Sequence, residues 1–167
     1  KPPLLGAFFL PKIYFIYNIC NMKLGFIGTG KIAYSVITGI CKSNIKYEKI
    51  YISHRNKKNS SQLKRKFKKI EIFKNNQEII DKSNWIFLSV TPLVGKKIIK
   101  NLKFRSNQTV ISFISTMNLS SLKKDIKKNV KIVRAIPLPP ISLKKGPIPI
   151  CPPNKKVKNF FDQLGSS

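Results

Sequence analysis

The sequence has 167 residues, of which 42% are hydrophobic, enough for one domain with a buried core. Its three cysteines have no paired spacing and its single histidine leaves no Cys/His cluster; this argues against a disulfide framework or a metal site and predicts a reducing, cytoplasmic location. The formal net charge of +27 is almost entirely lysine, which we interpret as coding bias, so we expect no specific nucleic acid partner and no membrane partner. A basic nucleic-acid-binding protein is kept as a remote alternative.

The first 21 residues differ from the rest of the chain. Leu4–Cys20 is strongly apolar, but Pro11 and Lys12 interrupt it and leave apolar runs too short to span a bilayer. Met22 stands immediately before the first predicted strand. We therefore interpret residues 1–21 as an apolar extension outside the fold and residues 22–167 as one domain, with a membrane anchor over residues 1–21 as the alternative.

From Met22 onward, predicted strands and helices alternate. The predicted strands are Lys23–Ile27, Lys49–Ser53, Ile70–Phe73, Asn84–Val90, Thr109–Ser115, Val130–Arg134 and Ile148–Cys151. The predicted helices are Lys31–Ser43, Asn59–Lys69, Gln77–Asp81, Pro92–Leu102, Leu119–Lys128 and Lys155–Leu164. This alternation predicts right-handed crossovers and an α/β fold with a doubly wound parallel sheet.

The first predicted strand runs into a Gly-x-Gly-x-x-Ala turn, and an amphipathic helix follows. In such a turn Gly28 permits the tight bend, Gly30 lets the backbone approach a pyrophosphate, and Ala33 lets the helix lie against the strand. The helix N-terminus presents unpaired N–H groups to the phosphates. The pattern predicts a dinucleotide site; the alternative is a glycine turn that serves only helix–strand packing.

The end of the second predicted strand carries hydrogen-bond donors where a fold selective for NAD usually has a carboxylate. Ser53, Arg55 and Asn56 are suited to a 2′-phosphate, and the Arg55 guanidinium can bind one with two hydrogen bonds. This composition predicts a preference for NADP. A solvated loop with an unrelated arginine is the alternative.

Hydroxyl groups also lie where the predicted strands Asn84–Val90 and Thr109–Ser115 end, in Ser89-Val90-Thr91-Pro92 and Ser115-Thr116-Met117. The carboxyl ends of parallel strands open toward the cofactor crevice, so these groups are expected near the nicotinamide ribose, with ordinary loop and cap chemistry as the alternative. The proline-rich segment 137–140 predicts either a rigid wall beside the cofactor or a rigid surface connection. With only six acidic residues and no Ser/His/Asp set, hydrolysis is not expected, and a cofactor that supplies the chemistry fits better.

Several segments together resemble the pyrroline-5-carboxylate reductase family. They are Met22–Gly30, Ser53–Asn56, Trp85–Pro92, Thr109–Ser115, Arg134–Pro140, Lys145–Pro147, Pro152-Pro153 and Phe160–Gly165. The resemblance runs in order over essentially Met22–Gly165. The chain departs from the family pattern at Leu138, where the family usually has Asn, and in lacking the family's C-terminal helical dimerisation domain.

The resemblance implies a Rossmann-type NAD(P)-binding domain with NADP(H) as cofactor. It also implies NADPH hydride transfer to the C=N bond of 1-pyrroline-5-carboxylate, a small cyclic imine acid, giving proline in proline biosynthesis. Full-length relatives are expected to be homo-oligomers, and this chain, truncated to the cofactor domain, is expected to have little activity alone.

On this interpretation the predicted cofactor contacts fall into three groups. They are Gly28, Thr29, Gly30, Lys31 and Ile32 for the pyrophosphate, Ser53, Arg55 and Asn56 for the 2′-phosphate, and Val90, Thr91 and Pro92 beside the nicotinamide. No catalytic residue is identified. The alternatives are a non-catalytic NADP-binding module and a reductase of another imine or carbonyl substrate.

Overall fold

The computed structural model describes residues 22–126 and 129–166, so the predicted extension over residues 1–21 lies outside the described residues. Within the described ranges, seven strands form one sheet. They are β1 (Lys23–Ile27), β2 (Lys49–Ser53), β3 (Ile70–Phe73), β4 (Trp85–Leu88), β5 (Thr109–Ser112), β6 (Lys131–Ala135) and β7 (Ile150–Cys151). The strand order is β3-β2-β1-β4-β5-β6-β7, and every neighbouring pair is parallel except β6 and β7. The predicted doubly wound α/β fold is confirmed.

The described helices connect these strands. They are α1 (Lys31–Lys42), α2 (Lys57–Lys66), α3 (Asn76–Lys82), α4 (Pro92–Ile98), α5 (Leu119–Ile126) and α6 (Lys155–Phe161), with short 3-10 helices at Ile99–Asn101 and Pro139–Leu143. The helix α2 begins two residues before its predicted start, because the Asn56 side chain caps it by accepting a hydrogen bond from the Asn59 N–H. It also ends before its predicted end, because Phe67 adopts extended backbone and leads into β3.

The helices cover both faces of the sheet. The helices α1, α2 and α6 pack on one face around Phe26 and Phe87, whose rings stack at a centroid distance of 4.4 Å. The helices α3 and α5 pack on the other face, around Ile86 and Leu88. Parallel strands between two helical layers are buried on both sides, which explains why β4 is continuously apolar. No helix in the described part of the chain is long and apolar enough to cross a membrane.

The last strand differs from the expectation of an all-parallel sheet. The strand β7 is shorter than predicted and runs antiparallel to β6, pairing Ile150 with Ala135. The connection between the two strands contains the 3-10 helix Pro139–Leu143, which packs against α1. A parallel pair needs a crossover of a dozen or more residues, usually helical, whereas an antiparallel return does not. The connection after β6 provides no such helix, and β7 therefore returns antiparallel.

Candidate functional site

A cleft of about 530 Å³ opens at the carboxyl ends of β1, β2 and β4. Its lining residues come from the loop that follows each of these strands and from the first turns of α2 and α4. They are Gly28, Thr29, Gly30, Arg55, Asn56, Lys57, Ser89, Val90, Thr91 and Val94. The strand order reverses at β1, which lies between β2 and β4. Doubly wound sheets bind ligands at such a reversal, so the topology and the cleft indicate the same site.

The two glycines of the first turn have different physical roles. Gly28 has φ +100°, and a Cβ there would lie 2.5 Å from the carbonyl oxygen of Ser89, so only glycine fits. Gly30 has an ordinary φ of −68°, and nothing lies within 4 Å of the position a Cβ would take. Gly30 is also the N-cap of α1 and brings no side chain to cap it. The turn therefore leaves open space beside Gly30, at the N-terminal end of α1, and no side-chain cap occupies this end of the helix.

Hydrogen bonds from two sides fix this turn. The Gly28 N–H donates to Ser53 Oγ at 2.9 Å, and Thr29 Oγ1 donates to the Ser53 carbonyl at 3.2 Å. From α2, Asn59 Nδ2 donates to the Thr29 carbonyl at 2.8 Å. On the opposite side, Ser89 Oγ donates to the Gly28 carbonyl at 2.7 Å. The turn is thus joined to β2, to α2 and to the end of β4.

The wall formed by the loop after β2 and the first residue of α2 is positively charged. Arg55, Asn56 and Lys57 are exposed and line the cleft. No aspartate or glutamate is among the lining residues, and no three His, Cys, Asp or Glu of the described residues lie close enough to hold a metal ion. The positive end of the α1 dipole faces the same opening. This set of donors fits an anionic, phosphate-bearing ligand and does not fit a ligand that requires a carboxylate partner.

The structure brings most of the predicted cofactor contacts together. Those that line the cleft are Gly28, Thr29, Gly30, Arg55, Asn56, Val90 and Thr91. Those that do not are Lys31 and Ile32 in the first turn of α1, Pro92 at the start of α4, and Ser53. Ser53 is only 4% exposed and lies behind the turn, with its hydroxyl oxygen on the Gly28 N–H. The direct contact of each residue with a cofactor stays a prediction.

Two lining residues, Lys57 and Val94, were not predicted from the sequence, and a third, Ser89, was expected near the ribose but was not included among the predicted contacts. Lys57 follows Arg55 by two positions, but the lysine-rich composition conceals it as a signal. The Ser89 hydroxyl donates to the Gly28 carbonyl, and its expected position near a ribose stays a prediction. Val94 lines the cleft from the first turn of α4. None of residues 137–140 lines the cleft.

The loop after β5 is held from β6. The Arg134 guanidinium donates to the Ser115 carbonyl at 2.7 Å, and its Nε is buried without a hydrogen-bond partner. Neither Ser115 nor Thr116 is among the lining residues of the cleft. The hydroxyls of Ser115 and Thr116, which were expected near the ribose, therefore lie outside the cleft.

The sequence matches a family model described as "NADP oxidoreductase coenzyme F420-dependent" over residues 23–118. Among curated proteins, it is 25% identical over 132 residues to pyrroline-5-carboxylate reductase 3 of Danio rerio, covering 77% of this chain and 45% of that protein. It is 25% identical over 126 residues to pyrroline-5-carboxylate reductase of Arabidopsis thaliana, covering 74% of this chain and 45% of that protein. The chain thus spans about half the length of the curated relatives it matches.

A solved structure has the same fold. Plasmodium falciparum pyrroline carboxylate reductase, determined with NADP bound, superposes with a TM-score of 0.76 at 24% identity, covering 89% of this chain and 57% of that chain. The resemblance to pyrroline-5-carboxylate reductases predicted from the sequence is confirmed.

Proposed function

The chain belongs to the family described as NADP oxidoreductase, coenzyme F420-dependent, and from this premise we propose that it is the NADP(H)-binding part of an enzyme that reduces a cyclic imine. The observation that carries the proposal is the cleft at the reversal of the strand order, where Arg55 and Lys57 face the opening without an acidic neighbour in the lining. An exposed carboxylate there would favour a ribose 2′-hydroxyl, whereas guanidinium and ammonium groups favour a 2′-phosphate.

The residues of the cleft divide the binding task. Gly28, Thr29 and Gly30 with the first turn of α1 (Lys31 and Ile32) would hold the pyrophosphate, because Gly30 has open space at its Cβ position and no side chain caps this end of α1. Arg55, Asn56 and Lys57 would hold the 2′-phosphate. In this proposal Ser53 supports the turn from behind, consistent with its buried hydroxyl.

Val90, Thr91 and Pro92 would border the nicotinamide at the other end of the cleft. NADPH supplies a hydride when bound. The cleft itself contributes orientation, since its described lining includes no residue suited to exchange a proton near neutral pH. This division of labour fits a reductase whose cofactor carries the chemistry.

The two curated relatives described above, matched over 132 and 126 residues, are named for pyrroline-5-carboxylate. We therefore propose 1-pyrroline-5-carboxylate as the substrate and proline as the product, with a homo-oligomer and a cytoplasmic location for the whole protein. The matched region is less than half of each of these relatives. We expect these 167 residues alone to bind the dinucleotide but to reduce the imine slowly, and robust turnover by the purified chain would contradict this expectation.

Titration of the purified chain with NADPH and NADH tests the cofactor assignment. We expect NADPH to bind about tenfold more tightly than NADH, a difference in binding free energy of about 1.4 kcal/mol. This value is near the low end of the free energies found for charge-assisted hydrogen bonds, because Arg55 is exposed to solvent. Arg55→Ala should remove most of this preference. Arg65→Ala, which removes an exposed arginine from the last turn of α2, should leave it unchanged. Equal affinities in the unmodified chain, or equal losses in both variants, would contradict the assignment.

A further inference from the structure

We infer that Asn59 is a positioning residue for the dinucleotide: through its hydrogen bond to the Thr29 carbonyl it orients the Gly30 N–H toward the pyrophosphate. The inference rests on the proposed function. It starts from the 2.8 Å contact of Asn59 Nδ2 with the Thr29 carbonyl, which joins α2 to the turn across 30 positions of sequence.

The planarity of the peptide group explains how this bond acts on Gly30. The Thr29–Gly30 peptide is trans, since the cis bond found in the described residues is Cys151-Pro152. In a planar trans peptide the C=O and the following N–H point in opposite directions. When Asn59 holds the Thr29 carbonyl toward α2, the Gly30 N–H is directed away from α2. Gly30 is exposed and lines the cleft, and no atom lies within 4 Å of its Cβ position.

The remaining contacts of the turn do not fix this peptide plane. The bonds to Ser53 come from the Gly28 N–H and from the Thr29 hydroxyl, and the bond from Ser89 is to the Gly28 carbonyl. Among the described residues, the side chain that donates a hydrogen bond to the Thr29 carbonyl is that of Asn59. Asn59 is half-buried, so water competes less with this hydrogen bond than it would at an open surface. Without the amide, no described hydrogen bond holds the Thr29 carbonyl, and the Thr29–Gly30 peptide loses the contact that sets its orientation.

A role confined to helix stability makes a different prediction. Asn59 is the third residue of α2, and asparagine is a poorer helix former than alanine. If Asn59 served only the helix, Asn59→Ala would stabilise the protein and leave dinucleotide affinity unchanged. If Asn59 only held the loop that carries Arg55 in place, its loss would lower the affinity for NADPH and leave the affinity for NADH unchanged. If it orients Gly30, its loss weakens NADPH and NADH by the same factor, because both carry the pyrophosphate.

The experiment measures the dissociation constants of NADPH and NADH by titration calorimetry on the purified chain. For Asn59→Ala we expect both affinities to fall about two- to tenfold, the range for one neutral hydrogen bond, with their ratio unchanged. Asn59→Leu keeps a side chain of similar size without the amide and should show the same loss of affinity. It serves as the test variant if Asn59→Ala is poorly folded. Gln62→Ala removes an amide from the same helix one turn later and should match the unmodified chain.

The outcomes separate this inference from the proposed function. If the unmodified chain binds NADPH and both Asn59 variants bind like Gln62→Ala, the positioning role is wrong while the proposed function stands. A selective loss of NADPH affinity also overturns it. If the unmodified chain binds neither dinucleotide, both proposals fall. A parallel loss for the two dinucleotides, with thermal stability equal to or above that of the unmodified chain, supports the inference.

Discussion

Replacing Ser53 by alanine separates a supporting role from direct contact with the cofactor. The Ser53 hydroxyl oxygen accepts the Gly28 N–H at 2.9 Å, and both residues are buried. Alanine removes one oxygen atom, a space too small for a water molecule to take its place. The Gly28 N–H is then buried without a partner, which costs about 1–3 kcal/mol of unfolding free energy.

The size of the chain converts this cost into a change in Tm. For proteins of 150–250 residues, 1 kcal/mol corresponds to about 2–4 °C, so Ser53→Ala is expected to lower Tm by roughly 2–12 °C. Circular dichroism during heating measures this change, and titration with NADPH and NADH measures binding to the same samples. Because Ser53 is absent from the cleft lining, the ratio of the two affinities should stay unchanged.

The control is Ser61→Ala, which removes an exposed hydroxyl from α2 and should change the unfolding free energy by less than about 0.5 kcal/mol. The reasoning is refuted if Ser53→Ala melts at the same temperature as this control. It is also refuted if Ser53→Ala loses NADPH affinity selectively, since Ser53 would then contact the 2′-phosphate directly, as its sequence position first indicated.

Two further predictions follow from single positions. Gly28→Ala should lower Tm strongly, because its Cβ would lie 2.5 Å from the Ser89 carbonyl oxygen in a residue with φ at +100°. Gly30→Ala should leave Tm unchanged and weaken the binding of both dinucleotides. Similar Tm values for the two variants would contradict this distinction. The Lys49 ammonium, 2.6 Å from Glu71, lowers the pKa of the Glu71 carboxyl. The ion pair therefore stabilises the fold at pH values above the ordinary glutamate pKa, and this stabilisation is lost as the pH falls through the lowered pKa of Glu71. Glu71→Gln should therefore have a slightly lower Tm than the unmodified chain at neutral pH and the same Tm in acid. A Tm difference that stays constant across a pH series of melting curves would contradict this prediction.

The sequence alone determined the order of the main strands and helices and the place of the cleft. Continuous apolar strands such as Trp85–Leu88 and the spacing of the first turn predicted a doubly wound sheet, because buried parallel strands and tight glycine turns need those residue types. Arg55 could be placed at the cleft for the same reason, since its position after β2 follows from the strand pattern.

The tertiary structure alone decided what each polar side chain does. The Ser53 hydroxyl meets a glycine 25 positions away and Asn59 meets a carbonyl 30 positions away, and neither pairing leaves a periodic signal in the chain. The direction of β7 likewise depends on how the segment after β6 packs against α1. Periodicity reports which face of an element is buried, but hydrogen bonds between distant segments form only after packing has brought their atoms together.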